Sequence, residues 1–120
     1  MEKNLHDHKE LIAWQKAIIL VENIYKMTQN FPKEEMFGII SQMRRCAISI
    51  PSNIAEGSSR TNKSFSHFLD ISLGSSFELQ TQLLLANNRK YLSDDATHYF
   101  ENKIEEFQKA TMSFQNTLNE

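Results

Sequence analysis

QMRRCAISIPSNIAEGSSR, residues 42–60, holds a contradiction. Met43, Ala47, Ile50 and Ile54 repeat at the three-four spacing of one helical face, yet Pro51 stands among them. A proline inside a helix removes one backbone hydrogen bond and presses on the carbonyl four residues earlier, at a cost of about 3 kcal/mol. A chain broken there loses its phase, but this stripe runs on through Ile54. The pattern therefore predicts a helix kinked at Pro51, or two helical pieces joined end to end, in place of a loop. A bend that binds a ligand is the alternative. Ser49, Ser52 and Asn53 are placed to bond the backbone groups that the proline frees. Gly57 suits a left-handed helix end.

Working outward, the same face extends back to Met36 and Ile40. Before it, Asn30-Phe31-Pro32 breaks a first helix, and Pro32 is suited to open the second, with Glu34 and Glu35 at the positive end of its dipole. The first helix carries Leu11, Trp14, Ile18, Val21, Tyr25 and Thr28 as its packing seam, with Ala17, Leu20, Ile24 and Met27 as a surplus stripe beside it. After Gly57, Thr61 or Asn62 caps a third helix with Phe65, Leu69, Ser72, Ser76, Leu79, Leu83 and Ala86 on one face. Gly74 lies inside it and costs about 1 kcal/mol against alanine, which close approach of a neighbouring backbone compensates. Asn87-Asn88-Arg89-Lys90 ends that pattern. Ser93 then caps a fourth helix with Thr97, Phe100, Ile104, Phe107, Thr111, Phe114 and Leu118 in phase. Four helices with short connections predict an all-α, antiparallel up-down-up-down four-helix bundle over residues 11–120, after a polar tail at residues 1–10.

Composition agrees. In 120 residues there are 3 glycines and 2 prolines, too few for the turns of a sheet protein. Hydrophobic residues make up 40% and charged residues 23%, which suits one folded domain. The formal net charge of −2 argues against a strongly basic nucleic-acid binder. The first ten residues lack the apolar centre of a signal peptide, and no apolar run approaches the roughly 20 residues of a membrane span. Cys46 is the single cysteine, so no internal disulfide forms, and a cytoplasmic location is expected.

Charge is uneven along the chain. Between residues 39 and 63, Arg44, Arg45, Arg60 and Lys63 stand against Glu56, a local net of +3. These four cations are the candidate nucleic-acid site, through phosphate contacts. The competing expectation is a solvated face with salt bridges, Arg44 reaching Glu56, Glu78 or a partner chain. Other chemistry is thin. His6-Asp7-His8 is a weak metal signal in a polar tail, and His67 with Asp70 lacks the repeated Glu-x-x-His of a di-iron bundle. Cys46 fits a small buried thiol. Glu56 and Glu78 fit partners of arginines better than a carboxylate pair. No catalytic residue, cofactor, metal or small-molecule substrate is expected, and no membrane partner. The surplus stripe of the first helix and the Ile39, Cys46, Ile48 edge of the second form the candidate subunit interface.

Several strings are similar to one known family. Trp14-Gln15-Lys16-Ala17, Phe31-Pro32-Lys33-Glu34-Glu35, Gln42-Met43-Arg44-Arg45 and Ser49-Ile50-Pro51-Ser52-Asn53-Ile54-Ala55-Glu56-Gly57 resemble the four-helix-bundle family encoded within intervening sequences of bacterial 23S rRNA genes. Gly74-Ser75-Ser76, Glu78-Leu79-Gln80-Thr81-Gln82 and Tyr91-Leu92 extend the resemblance to roughly residues 11–118. It implies a non-enzymatic bundle that assembles as a homopentamer, with RNA or DNA as a candidate partner.

Overall fold

The computed structural model describes residues 7–119. Four α-helices form, and no strand occurs among the described residues: α1 (Ile12–Thr28), α2 (Ser41–Ser58), α3 (Asn62–Asn88) and α4 (Asp94–Thr117). α1 and α3 each pack against both α2 and α4, so the four close into an elongated bundle of 49 × 24 × 19 Å. Polar contacts show the antiparallel order. Gln115 near the end of α4 donates to Ser66 and Asp70 near the start of α3, and Gln108 at the middle of α4 donates to Ser76 and Gln80.

The helix starts follow the expected chemistry. Thr61 caps α3 by accepting from the Ser64 N–H, and Ser93 caps α4 by accepting from the Ala96 N–H, with Asp94 and Asp95 in the first turn. Every apolar or small residue expected on the inner face of α3 is buried, Ser72 and Ser76 included. α4 buries Thr97, Phe100, Ile104, Phe107 and Thr111, while Phe114 is half-buried and meets Phe65 edge to face, ring centres 5.4 Å apart.

α1 exchanges its two stripes. Ala13, Ala17, Leu20, Ile24 and Thr28 face the core, Trp14, Ile18, Val21 and Tyr25 are half-buried along the α2 side, and Leu11, just before α1, is half-buried beside Ala110 and Phe114 of α4. Both rows have helical spacing. The small Ala13 and Ala17 let α1 approach its neighbours closely, whereas Trp14 fits an edge. The polar segment before α1 includes a short 3₁₀ turn, His8–Glu10, with Asp7 accepting from Lys9 N–H and the His8 ring edge-on to Trp14 at 5.3 Å. His6 lies outside the described residues.

The passage from α1 to α2 is more elaborate than expected. Pro32 precedes a 3₁₀ turn, Lys33–Glu35, which leads into a wide turn, Met36–Ile40. Gly38 at φ −111°, ψ −117° departs from helical backbone there, so Glu34 and Glu35 do not lie in the first turn of α2. α2 itself is one helical span through Pro51, which is buried. Side chains bond the carbonyls flanking the proline: Asn53 Nδ2 donates to Ser49 O at 2.8 Å and Ser72 Oγ to Ile50 O at 2.8 Å.

Two glycines act otherwise than the sequence suggested. No glycine has positive φ among the described residues. α2 runs one residue past Gly57, which is buried where a Cβ would meet Phe68 Cβ at 2.7 Å and Phe65 Cδ1 at 2.8 Å. Gly57 thus allows α2 and α3 to close together at their shared corner. At Gly74 a Cβ would meet nothing within 4 Å, so no neighbouring backbone approaches it. Close packing falls instead to its serine neighbours.

Candidate functional site

The four candidate cations do not gather into one patch. Arg44 turns toward the end of α1: its Nε donates to Thr28 Oγ1 at 2.9 Å and its guanidinium lies 4.6 Å from the Tyr25 ring centre. It reaches neither Glu56 nor Glu78. Arg45, about 100° further round the helix, is exposed beside a groove between α2 and α3. Arg60 lies just beyond α2, ion-paired with Glu56 and 5.2 Å from the Phe68 ring centre. Lys63 is exposed in the first turn of α3. At about 1.5 Å per residue, roughly 20 Å of helix separates Arg45 from Arg60. Sequence proximity overstated their clustering because a straight helix carries them apart. Arg45 and Lys63 make no hydrogen bond or ion pair among the described residues.

The outer face of α1 and α2 is apolar. Trp14, Ile18, Val21, Ile48, Pro51 and Ala55 line a groove of about 320 Å³, with His8 and Ser52 at its rim. Val21 and Ile48 also border a second hollow of about 540 Å³ that continues past Tyr25 to Gln29. Ile48, in the middle, is 42% exposed. Of the interface expected from sequence, the structure places Ile48 here. It sends Ala17, Leu20 and Ile24 into the core and turns Cys46 toward α3. The residues that do form this face are the ones first assigned to the seam of α1.

The groove between α2 and α3 differs in character. Gln42, Arg45, Cys46, Ser49, Glu78 and Gln82 line about 360 Å³. Cys46 Sγ donates to Ser75 O at 3.0 Å, and Ser49 Oγ lies 2.7 Å from both Cys46 O and Ser75 Oγ. Burial, reinforced by the Glu78 carboxylate, pushes the Cys46 thiol up to about 12. It stays protonated near neutrality and is a packing group, not an activated nucleophile. Glu56 and Glu78 do not form a carboxylate pair, since Glu56 engages Arg60 and Glu78 borders this groove. Gln82 was missed in the sequence. Its phase with Leu79, Leu83 and Ala86 was the available signal of burial.

No group of three or more metal-ligating side chains occurs among the described residues. No described helix is long and apolar enough to cross a membrane.

Residues 9–113 match the model of the 23S rRNA-intervening sequence protein family. The chain belongs to that family. No curated protein matches it. Among solved structures, it is similar to a crystal structure of a protein with unknown function from the S23 ribosomal protein family of Bacteroides thetaiotaomicron VPI-5482, with a TM-score of 0.76 and 23% identity. The similarity covers 87% of this chain and 98% of that one. At that identity the likeness speaks to the bundle alone. Within the 23S rRNA-intervening sequence family frame, the paired arginines and the Ser49–Gly57 string all fall on α2, where Ile50, Pro51, Ile54 and Gly57 are buried and Arg45 is exposed.

Proposed function

We propose that this 23S rRNA-intervening sequence family protein is a non-enzymatic, cytoplasmic building block that works as a homo-oligomer, a pentamer by the family resemblance. The observation that supports it is the apolar α1–α2 face. Trp14, Ile18, Val21 and Ile48 remain incompletely covered within one subunit, and contiguous exposed apolar surface favours association. A copy of the same chain is the occupant that the resemblance supplies. Light scattering at micromolar concentration should return a multiple of the 14.0 kDa subunit mass. Ile48→Glu should reduce that mass to a single subunit while far-ultraviolet circular dichroism stays helical. A wild-type monomer ends this proposal.

A second function rests on Arg45 and Lys63, which are exposed and make no hydrogen bond or ion pair among the described residues. Repeated around an assembly, they would offer phosphate contacts to RNA or DNA. Such binding should weaken steeply with salt and should fall in Arg45→Ala and Lys63→Ala with the fold intact. Absence of binding at low salt removes this second function and leaves the first untouched.

A further inference from the structure

α3 is poor in charge for a helix at the surface. From Ser64 to Asn88 it carries Asp70 and Glu78 and no lysine or arginine. Its inner face is buried from Phe65 through Ala86. Its outer face is apolar as well: Ile71, Phe77, Leu84 and Leu85 are each between 40% and 55% exposed. Ile71 and Leu85 differ by a multiple of seven residues, as do Phe77 and Leu84, so the four form two adjacent rows along one side. A helix that is apolar all round belongs in an interior. α4 differs, since it turns Asp95, Asn102, Glu105, Glu106 and Lys109 to water.

This ridge matches the α1–α2 face in form and length. Large side chains on the outer side of one helix make a convex row. The α1–α2 face is a trough between two helices, bordered by Trp14 to Gln29 on one side and by Ile48 to Ala55 on the other. Ridges set into grooves are how helices pack. At about 1.5 Å per residue, the ridge from Ile71 to Leu85 runs roughly 21 Å, and the trough from Trp14 to Gln29 roughly 22 Å. Charge fits too. The ridge carries Asp70 and Glu78, while the trough is bordered by Lys26 and by Arg45, one turn before Ile48, against Glu22.

A contact between two α1–α2 faces would be isologous and would stop at a pair. Two unlike faces let each subunit receive one neighbour and enter another, as a ring requires. α3 does not pack on α1 but stands across the bundle from it, so one subunit can use both faces at once. A footprint about 25 Å long and about 20 Å wide covers about 500 Å². That is small for a lone pair. A subunit within a ring makes the contact twice, about 1,000 Å² in all, against the roughly 800 Å² per partner of a standard interface.

We propose that the outer ridge of α3, with Ile71, Phe77, Leu84 and Leu85, seats in the α1–α2 trough of a second copy of this chain. The proposal rests on the assembly reading of the α1–α2 face and supplies the other half of that contact.

The test compares Phe77→Glu with Ile48→Glu by light scattering of the full chain. Each variant alone should fall to the 14.0 kDa subunit mass while circular dichroism stays helical. Leu84→Glu repeats the test should Phe77→Glu fail to fold. Mixed at about 1 mM, where a single contact of micromolar to millimolar Kd is populated, the two variants should form a pair of twice the subunit mass. The pair arises because Ile48→Glu keeps its ridge and Phe77→Glu keeps its trough. Ile19→Glu, at an exposed position on the α4 side of α1, should keep the wild-type mass. A wild-type monomer would remove the assembly reading and this proposal together. A wild-type oligomer whose mass survives both Phe77→Glu and Leu84→Glu would overturn this proposal alone and leave the assembly reading standing. Variants that stay apart when mixed, or an Ile19→Glu that dissociates as Phe77→Glu does, would overturn it as well.

Discussion

Arg44 and Thr28 lock two helices end to end: the guanidinium Nε donates to the Thr28 hydroxyl at 2.9 Å while that hydroxyl donates to Ile24 O at 2.8 Å. The same guanidinium stacks on Tyr25 and points an N–H at Tyr25 O, 3.4 Å away. A fixed cation therefore sits at the negative end of α1, where the dipole favours it. Arg44→Ala should destabilise the fold by about 2 kcal/mol, since it strips a charge-assisted bond from a half-buried site. Arg44→Lys should recover only part, because an ammonium neither stacks nor forks as the guanidinium does. Urea midpoints measure both. Equal stability of wild type and Arg44→Ala would make this arginine a surface group after all.

The two helix-internal glycines should respond oppositely to alanine. At Gly74 a methyl enters open space, and alanine should add about 1 kcal/mol through helix propensity. At Gly57 the methyl lies 2.7 Å from Phe68 Cβ and 2.8 Å from Phe65 Cδ1, so α2 and α3 must separate. Overpacking of that kind costs about 1–3 kcal/mol. Thermal denaturation of the pair gives the answer in one experiment: melting temperatures that move the same way would contradict the packing described.

Lys90 holds φ at +63°, alone in that region among the described residues. It ends α3 in a Schellman arrangement, with Tyr91 N bonded to Ala86 O and Lys90 N to Asn87 O. A left-handed conformation costs a residue with a Cβ about 1 kcal/mol, and the side chain is exposed. Lys90→Gly should therefore stabilise the protein by up to about 1 kcal/mol, read from the denaturation midpoint. A loss of stability would show that the lysine side chain contributes something beyond its backbone.

The bundle was legible because phase survives substitution by small residues. Ser72 and Ser76 could be placed in the core from their position among Phe65, Leu69, Leu79 and Leu83. Phase failed on α1, where two adjacent rows both satisfy it and only the position of α2 and α4 decides which is covered. It said nothing about Gly38, where the backbone leaves helical geometry inside the Met36–Ile40 turn. A glycine near a helix end also reads alike whether it caps, as expected of Gly57, or admits a neighbour, as it does. At the candidate sites, cations close in sequence were taken as close in space. Arg44 and Arg60 are instead spent on Thr28 and Glu56, and Gln82 was hidden because a polar residue at an in-phase position gives no sign of what it faces.

Stability should decline in alkali through Cys46. Its thiol titrates near 9.0 when unperturbed and is pushed up to about 12 in the fold by burial and then by the Glu78 charge. Below pH 9 both folded and unfolded chains hold the proton, and the full contribution is present. As pH rises from 9 toward 12 the unfolded chain releases its proton while the folded chain retains it, so this contribution to stability is lost. Tyr91 acts in the same sense, because its hydroxyl donates to Glu35 Oε2 at 2.9 Å, which raises its pKa above the ordinary 10.0. Cys46→Ala should flatten the alkaline part of a plot of denaturation midpoint against pH, whatever it does to the midpoint at neutrality. Tyr91→Phe should flatten it further. Glu78→Gln removes one cause of the shift, so thiolate absorbance should then develop at lower pH in the folded protein. An alkaline slope unchanged by Cys46→Ala, with thiolate appearing near pH 9 in the native state, would place this sulfur in contact with water and not in the α2–α3 seam.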